Sequence, residues 1–265
     1  LVVSCNTGQR PIIYFNEFDQ FFIEKIEEMP VETSLDPDEM CRIVKVSGKN
    51  LFIVKYESIQ QISERSFRVV MEKVNGVDLF KFLTQRNLSY YRIKLLIFQI
   101  LNGFKCLHGN SILHRDVCIS NILMVKSPFY HYPKISDINF YRPCDENQIL
   151  LANPEYLDPC VNKFYDYDLR SEIWSIGVLL YHILTAKCPF GSRLSGDSVE
   201  IIRNNSVNNA PDLRLIPSEF KVLVSRCLNK DKELRPNDLN ECVAILSQHL
   251  DFVGRTALKL ATGKF

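Results

Sequence analysis

The stretch "ILHRDVCISNILMV", residues 112–125, decides how the rest of the chain is interpreted. It follows a long helical pattern and closes in the apolar run "ILMV", which is typical of a short strand. Between the helix and the strand lie His114, Arg115, Asp116 and Asn121. A polar turn between two elements is common, but these four residue types at these offsets are improbable by chance. The stretch therefore predicts a loop with a specific chemical task.

The loop resembles the catalytic loop H-R-D-x-x-x-x-N of the protein kinases, which is also followed by a strand. The resemblance implies that Asp116 positions the hydroxyl group that accepts phosphate and that Asn121 holds a magnesium ion. Both side chains must project from one rigid loop into one cavity, which explains their spacing. The resemblance also assigns Arg115 to the catalytic machinery, and Leu123 in the following strand to the nucleotide site.

A second motif, "KISDINF", begins in the next predicted strand and places Asp137, Ile138 and Asn139 where the kinases have D-F-G. The resemblance implies that Asp137 is the second magnesium ligand. A lone aspartate after a strand is usually a turn residue, but the distance of Asp137 from the catalytic loop favours the ligand. We expect Asn139 to replace the glycine at modest cost, because asparagine tolerates a positive φ.

Three further stretches resemble the larger lobe of the kinases: "LLANPEYLDPC", "SEIWSIGVLLYHILTAKCPF" and "RCLNKDKELRP". The first resembles the end of the activation segment, and the second has Glu172 where the family has an aspartate. In the family Arg235 pairs with the glutamate that is here Cys160. A buried arginine without its carboxylate would cost several kcal/mol. Either another acid pairs with Arg235 or this corner of the fold is looser.

The loop over the phosphates is only faintly visible in "NTGQRPIIY", residues 6–14. Aligned with the kinase loop G-x-G-x-x-G-x-V-Y, it keeps Gly8 at the central glycine, while Asn6 and Pro11 replace the outer two. A single glycine in a turn is weak evidence, but this one lies between two predicted strands. Pro11 removes one backbone N–H, so we expect weaker phosphate contact.

Lys25 in "FFIEKI" aligns with the family's V-A-I-K lysine, which neutralises the nucleotide phosphates and pairs with a helix glutamate. Glu39 is the predicted partner because it stands eleven residues before Asn50, where a kinase-like strand begins. A competing register places Cys41 at that position. Solvated surface roles for Lys25 and Glu39 are the alternative.

The stretch "VMEKVNGVDLF" resembles the hinge between the kinase lobes. The resemblance assigns Met71 to guarding the back of the nucleotide pocket. Glu72 and Val74 would offer backbone groups to adenine, and Asp78 would lie near the ribose.

Periodicity predicts an α+β chain, and the resemblance implies a two-lobed protein-kinase fold over residues 1–265. Residues 1–72 have short β-branched and aromatic runs interrupted by one helix at "DPDEMCRIVKVSG", and form the predicted N-lobe. Residues 73–78 form the hinge. Residues 79–265 form a mainly helical C-lobe.

The 46% apolar content, the formal net charge of +1 and an apolar stretch of at most about twelve residues indicate a globular chain. We expect no nucleic-acid partner and no membrane span. The nine cysteines show no C-x-x-C spacing, so we expect reduced thiols and a cytoplasmic or nuclear location. The chain opens at Leu1 without a secretory pattern, and we expect a trimmed domain.

Several departures from the family concern phosphate handling. Cys118 replaces the lysine that steadies the transferring phosphate in Ser/Thr kinases, Ser120 is not the arginine of the tyrosine kinases, and Asn153 replaces the threonine of the substrate-docking loop.

Two interpretations stay open. The first is an ATP- and Mg²⁺-dependent kinase acting on Ser or Thr of a protein substrate, with low activity. The second is a pseudokinase that binds a partner, or nucleotide, without catalysis.

Residues 137–160 contain neither serine nor threonine, which excludes switching by Ser/Thr phosphorylation in that segment. Arg115 clasps an activation phosphate in many kinases. We expect it to meet Asp145 or Glu146 instead, in a permanently arranged segment.

Overall fold

The computed structural model describes residues 12–15, 21–28, 33–64, 66–126, 130–143, 153–161 and 167–249. The strands are β1 Ile12–Phe15, β2 Phe21–Glu28, β3 Thr33–Leu35, β4 Tyr56–Gln61, β5 Ser66–Glu72, β6 Gly76–Asp78, β7 Ile122–Lys126, β8 His131–Ile135 and β9 Tyr141–Pro143. The helices are α1 Pro37–Ser47, α2 Leu79–Gln85, α3 Tyr90–His108, α4 Leu169–Thr185, α5 Val199–Asn208, α6 Ser218–Cys227 and α7 Leu239–His249.

The N-terminal part is an antiparallel sheet in the order β1-β2-β5-β4, with α1 packed beside β4. Phe67, Val69 and Met71 share one face of β5 and are buried, and Val70 on the other face is buried as well. Helix α1 begins where the sequence predicts, because the Asp36 side chain accepts the N–H groups of the first turn and Pro37 occupies the first helical position.

The C-terminal part is built around α3 and α4. Helix α4 is buried on all sides from Ser171 to Ile183, which explains its nearly continuous apolar sequence. Helices α3 and α6 pack against it, and α7 packs against both α3 and α6. Ile97, Ile100 and Phe104 lie at helical spacing on α3 and are fully buried. The α+β, two-lobed prediction is confirmed.

Two smaller sheets place the site between the lobes. One has the order β6-β7-β8, and its first strand lies inside the predicted hinge. The other pairs β3 with β9 and was not predicted, because strands of three residues give too short a pattern. Hydrogen bonds from Val54 N–H to the Ile135 carbonyl and from Ile135 N–H to the Phe52 carbonyl, each 2.8 Å long, join β8 to the N-terminal part.

Within the described part of the chain, every helix is too short or too polar to cross a bilayer.

Candidate active site

The backbone of the catalytic loop is held by Glu172 of α4. One carboxylate oxygen of Glu172 accepts the N–H groups of His114 at 2.7 Å and Arg115 at 3.0 Å, and the hydroxyl of Tyr167 at 3.2 Å. The other oxygen lies 2.6 Å from Nε2 of His108 at the end of α3. These contacts fix the loop where Arg115 adopts a left-handed φ of 63°.

Glu172 is fully buried, yet it stays ionised. Burial alone would raise its pKa, but the adjacent His108 and the backbone donors lower the pKa of Glu172 to about 2. The glutamate that departs from the family pattern therefore performs a clear structural task, with His108 as its partner.

Asp116 and Asn121 are brought together by the loop, as their spacing predicts. The amide nitrogen of Asn121 donates to the Asp116 carboxylate at 2.8 Å and to the Asp116 carbonyl at 2.9 Å. Both bonds use the nitrogen, so the amide oxygen of Asn121 is not consumed by them. Burial raises the pKa of Asp116, although His114 and the Asn121 amide act in the opposite direction.

His114 ties the loop to the end of β8. Its Nε2 donates to the carbonyl of Ser136 at 2.8 Å, and its Nδ1 accepts the N–H of Asp116 at 3.3 Å. Ser136 in turn donates its N–H and its hydroxyl to the carbonyl of Asn121, at 2.9 and 3.0 Å. These bonds hold the two predicted metal ligands, Asn121 and Asp137, side by side.

Lys25 and Asp137 meet across the cleft. The Lys25 ammonium lies 2.6 Å from Oδ1 of Asp137 and 2.6 Å from the carboxylate of Glu27. Burial would raise the pKa of Asp137, but Lys25 lowers it overall. Burial would likewise lower the pKa of Lys25, but the carboxylates of Asp137 and Glu27 outweigh it and raise that pKa well above its ordinary value. Lys25 and Asp137, both predicted for the nucleotide site, thus lie in contact, whereas Glu27 was not among the predicted residues.

The predicted pairing of Glu39 with Lys25 is wrong for the described structure. Glu39 does lie on α1, but its carboxylate binds the guanidinium of Arg115 at 2.8 and 3.1 Å, with both side chains almost fully buried. Arg115 also donates to the Asn139 carbonyl at 2.9 Å. One terminal nitrogen of Arg115 donates to both Glu39 oxygens and the other donates to the Asn139 carbonyl, a spread of donors that a single ammonium lacks.

The left-handed backbone expected at Asn139 lies two residues earlier. Among the described non-glycine residues, a positive φ occurs at Asp137, where it is 56°, and not at Asn139. Aspartate tolerates this conformation nearly as well as asparagine. Ile138 is buried, and its N–H donates to the hydroxyl of Tyr56 at 2.9 Å.

The predicted hinge residues lie from the end of β5 to the end of β6. Met71 is buried at the end of β5, and Val74 packs against the core. The side chain of Asp78 caps α2 by accepting the Lys81 N–H at 2.8 Å. Leu123 of β7 is the register partner of Asp78, which puts these two predicted nucleotide contacts next to each other.

Glu72 has a role that the sequence did not indicate. Its carboxylate forms an ion pair with Lys134 of β8 and accepts the N–H of Lys55 at 2.9 Å. The backbone N–H of Glu72 donates to the Lys55 carbonyl at 2.8 Å. Glu72 therefore fixes the end of β5 against β8.

Cys118 stands at the position of the family's loop lysine, and its thiol is buried. Its Sγ lies 3.3 Å from the hydroxyl of Ser120, and burial raises the pKa of Cys118 to about 12. Asn153 is described, and its side-chain oxygen is buried without a hydrogen-bond partner. The positively charged contact that the resemblance associates with phosphate transfer is replaced by a neutral thiol.

Arg235 pairs with a different acid, Asp158. Its two terminal nitrogens donate to Asp158 at 2.7 and 2.8 Å, and both side chains are fully buried. Cys160 contributes a weaker contact, with its Sγ 3.5 Å from Arg235. Of the two alternatives drawn from the sequence, the replacement acid is the correct one, supplied two residues before the lost glutamate.

Some predicted positions lie outside the described residues. These are Gly8 with Asn6 and Pro11 in the phosphate loop, and Asp145 and Glu146, the expected partners of Arg115. The partner found for Arg115 is Glu39.

The described groups fit a metal–nucleotide complex in their chemistry. Asp137 and Asn121 offer oxygen atoms, which suit a hard cation such as Mg²⁺, and Lys25 offers a positive charge to phosphate. Asp116 lies on the same loop as Asn121 and is hydrogen-bonded to it. A lysine, two aspartates and an asparagine gathered in this way define the class of the phosphotransferases that share this two-lobed fold.

The chain belongs to the protein kinase family, because the family model described as "Protein kinase domain" matches residues 24–249. It is 32% identical to human serine/threonine-protein kinase ULK3 over 187 residues, which are 69% of this chain and 39% of that protein. It is 32% identical to mouse myosin light chain kinase 3 over 204 residues, which are 75% of this chain and 25% of that protein. Human serine/threonine-protein kinase ULK1 is also 32% identical, over 67% of this chain and 17% of its own length. The chain thus spans less than half of these relatives.

Proposed function

We propose that this chain is an active, ATP- and Mg²⁺-dependent protein serine/threonine kinase. The observation that carries the proposal is the convergence of Lys25, Asp116, Asn121 and Asp137 on one cleft, joined by the Lys25–Asp137 ion pair and the Asn121–Asp116 hydrogen bonds. The names of its relatives, which are serine/threonine kinases, favour Ser and Thr as acceptors.

Each residue has a stated task in this proposal. Asp137 and the Asn121 amide oxygen would hold Mg²⁺, which would supply positive charge to the phosphates when bound. Lys25 leaves Asp137 for the phosphates. Asp116, kept in place by the Asn121 amide, accepts a hydrogen bond from the substrate hydroxyl and aims it at the terminal phosphate. Without a lysine at Cys118, the developing charge has one donor fewer, so we expect slow transfer.

The test is transfer of radiolabelled γ-phosphate from ATP to a mixture of Ser- and Thr-containing peptides and to the chain itself. Wild type should transfer phosphate in a Mg²⁺-dependent way, and Asp116→Asn and Lys25→Met should each abolish transfer. Asp212→Asn and Lys221→Met remove an exposed carboxylate and an exposed ammonium away from the cleft, so they serve as matched controls with wild-type activity.

The second candidate is a pseudokinase, a regulatory module that binds a protein partner, or nucleotide, without transferring phosphate. The buried Cys118, the orphaned oxygen of Asn153 and the engagement of Glu39 by Arg115 favour it. Absence of transfer with any divalent metal, together with a nucleotide-induced rise in the unfolding temperature, would support this candidate against the first.

A further inference from the structure

Glu27 lies beside Lys25 because of the alternation of strand β2. Residues two apart on a strand point to the same face, so Lys25 and Glu27 share the face that looks into the cleft. The Glu27 carboxylate is 2.6 Å from the Lys25 ammonium, and their side chains are 23% and 10% exposed. The pair is therefore shielded from water on most sides, which strengthens a charge-assisted contact.

The strand holding this pair is central in its sheet. Strand β2 is hydrogen-bonded to β1 on one side and to β5 on the other, with Lys25 opposite Val69 and Glu27 opposite Phe67. Both partners on β5 are fully buried. The relative position of Lys25 and Glu27 is thus fixed by the backbone of one well-anchored strand.

The helix acid that the family resemblance assigns to Lys25 is engaged elsewhere. Glu39 uses both carboxylate oxygens on Arg115. The second partner of Lys25, Asp137, is the group proposed to hold Mg²⁺. Once a metal ion takes the Asp137 oxygens, Glu27 is the carboxylate among the contacts described for Lys25 that can continue to hold it.

We propose that Glu27 is the positioning residue for Lys25, in place of the helix glutamate, when nucleotide is bound. The inference rests on the proposed nucleotide-binding function. Because Glu27 and Lys25 lie on the same strand, the lysine is aimed at the phosphates whatever position α1 adopts. Glu39 then joins α1 to the catalytic loop through Arg115.

The experiment measures binding of ATP with Mg²⁺ and, separately, of adenosine, by calorimetry on the whole chain. Glu27→Gln should weaken ATP binding about tenfold, the effect of one charge-assisted contact, and leave adenosine binding unchanged. Glu24→Gln is the matched control, because Glu24 lies on the opposite face of β2 and pairs with Arg68 at 3.1 Å. It should change neither affinity.

Three further variants identify the cause of any change. In a Lys25→Met background, Glu27→Gln should have no additional effect on ATP, since the group that it positions is gone. Glu27→Asp keeps the charge and should restore part of the affinity. Glu39→Gln should leave the ratio of ATP to adenosine affinity within about twofold of wild type.

The outcomes separate this inference from the proposed function. If wild type binds ATP but Glu27→Gln binds it equally well, the inference is overturned and the proposed function stands. If Glu39→Gln shows the selective loss of ATP affinity, the helix glutamate is the positioning acid and the inference also fails. Wild type that binds neither ATP nor adenosine would overturn both.

Discussion

Arg235 and Asp158 form a buried, two-pronged ion pair that joins the end of the activation segment to the segment before α7. Arg235 also donates to the carbonyls of Asn229 and Arg170, and its guanidinium lies 4.9 Å from the ring of Trp174. With the contact to Cys160 Sγ at 3.5 Å, all five N–H groups of the arginine have a partner, which is the condition for a buried charge to be tolerated.

We predict that Asp158→Asn lowers the free energy of unfolding by about 3–5 kcal/mol, because it leaves a buried guanidinium without a counter-charge. Urea denaturation measures the loss. Cys160→Ala is the control and should cost less than about 1 kcal/mol, since Cys160 makes only a weak sulfur contact with Arg235. Equal losses from the two variants would contradict Asp158 as the principal partner.

A second prediction concerns pH. The pKa of Glu172 falls from 4.5 in its ordinary state to about 2 in the fold, so the stability it contributes is present above about pH 4.5. This contribution is lost as the pH falls from about 4.5 towards about 2, and it amounts to about 3 kcal/mol. The difference in unfolding free energy between wild type and Glu172→Gln should therefore shrink over that interval.

Glu172→Asp keeps the carboxylate and should retain the same direction of pH dependence at a lower overall stability. This variant also serves if the glutamine variant does not fold. The exposed Glu233→Gln variant is a control for general charge effects. If the difference in unfolding free energy between wild type and Glu172→Gln stays constant from about pH 5 to about pH 3, the lowered pKa of Glu172 is refuted.

The third prediction separates two cysteines by reactivity. Iodoacetamide should modify the exposed Cys41 rapidly and Cys118 only after unfolding, because burial raises the pKa of Cys118 to about 12 and the thiolate is the reactive form. Mass spectrometry of peptides taken at successive times measures both rates. Similar rates for Cys118 in native and urea-unfolded protein would show that the thiol is accessible in the fold.

The fourth prediction tests the contact between α1 and the catalytic loop. Arg115→Lys keeps the positive charge, but a single ammonium cannot replace both terminal nitrogens of Arg115, of which one binds the Glu39 carboxylate and the other binds the Asn139 carbonyl. We expect the free energy of unfolding to fall by about 1–3 kcal/mol and amide exchange in α1 to accelerate. Hydrogen-exchange mass spectrometry measures the second effect.

Arg42→Lys is the control for this contact, because Arg42 forms a more exposed ion pair with Asp36 on the same helix. It should alter exchange in α1 much less than Arg115→Lys does. If the two variants behave alike, the Glu39–Arg115 pair does not anchor the helix.

Local signals allowed the sequence to predict much of this structure. The aspartate cap and the early proline of α1 act within one helical turn, and the offsets of Asp116 and Asn121 act within one loop, so neither depends on distant parts of the chain. The position of Asp137 after β8 follows from the same kind of short spacing.

The choice of ionic partners was harder to predict, because it is decided by residues far apart in the chain. Arg115 and Glu39 are 76 residues apart, and Arg235 and Asp158 are 77 apart. Several acids could reach each cation in principle, and only the packed fold selects one. Glu27 could have been found from the sequence, since a residue two positions from Lys25 on a strand must share its face.

The ion pair between Lys25 and Asp137 has a thermodynamic consequence for the proposed kinase. Nucleotide phosphates compete with Asp137 for Lys25, and a magnesium ion competes with Lys25 for Asp137, so either ligand alone must break the same bond. The ligand that binds first bears this cost, and the second binds to groups already released. Metal and nucleotide should therefore bind with positive cooperativity, and each should raise the affinity of the other by the same factor.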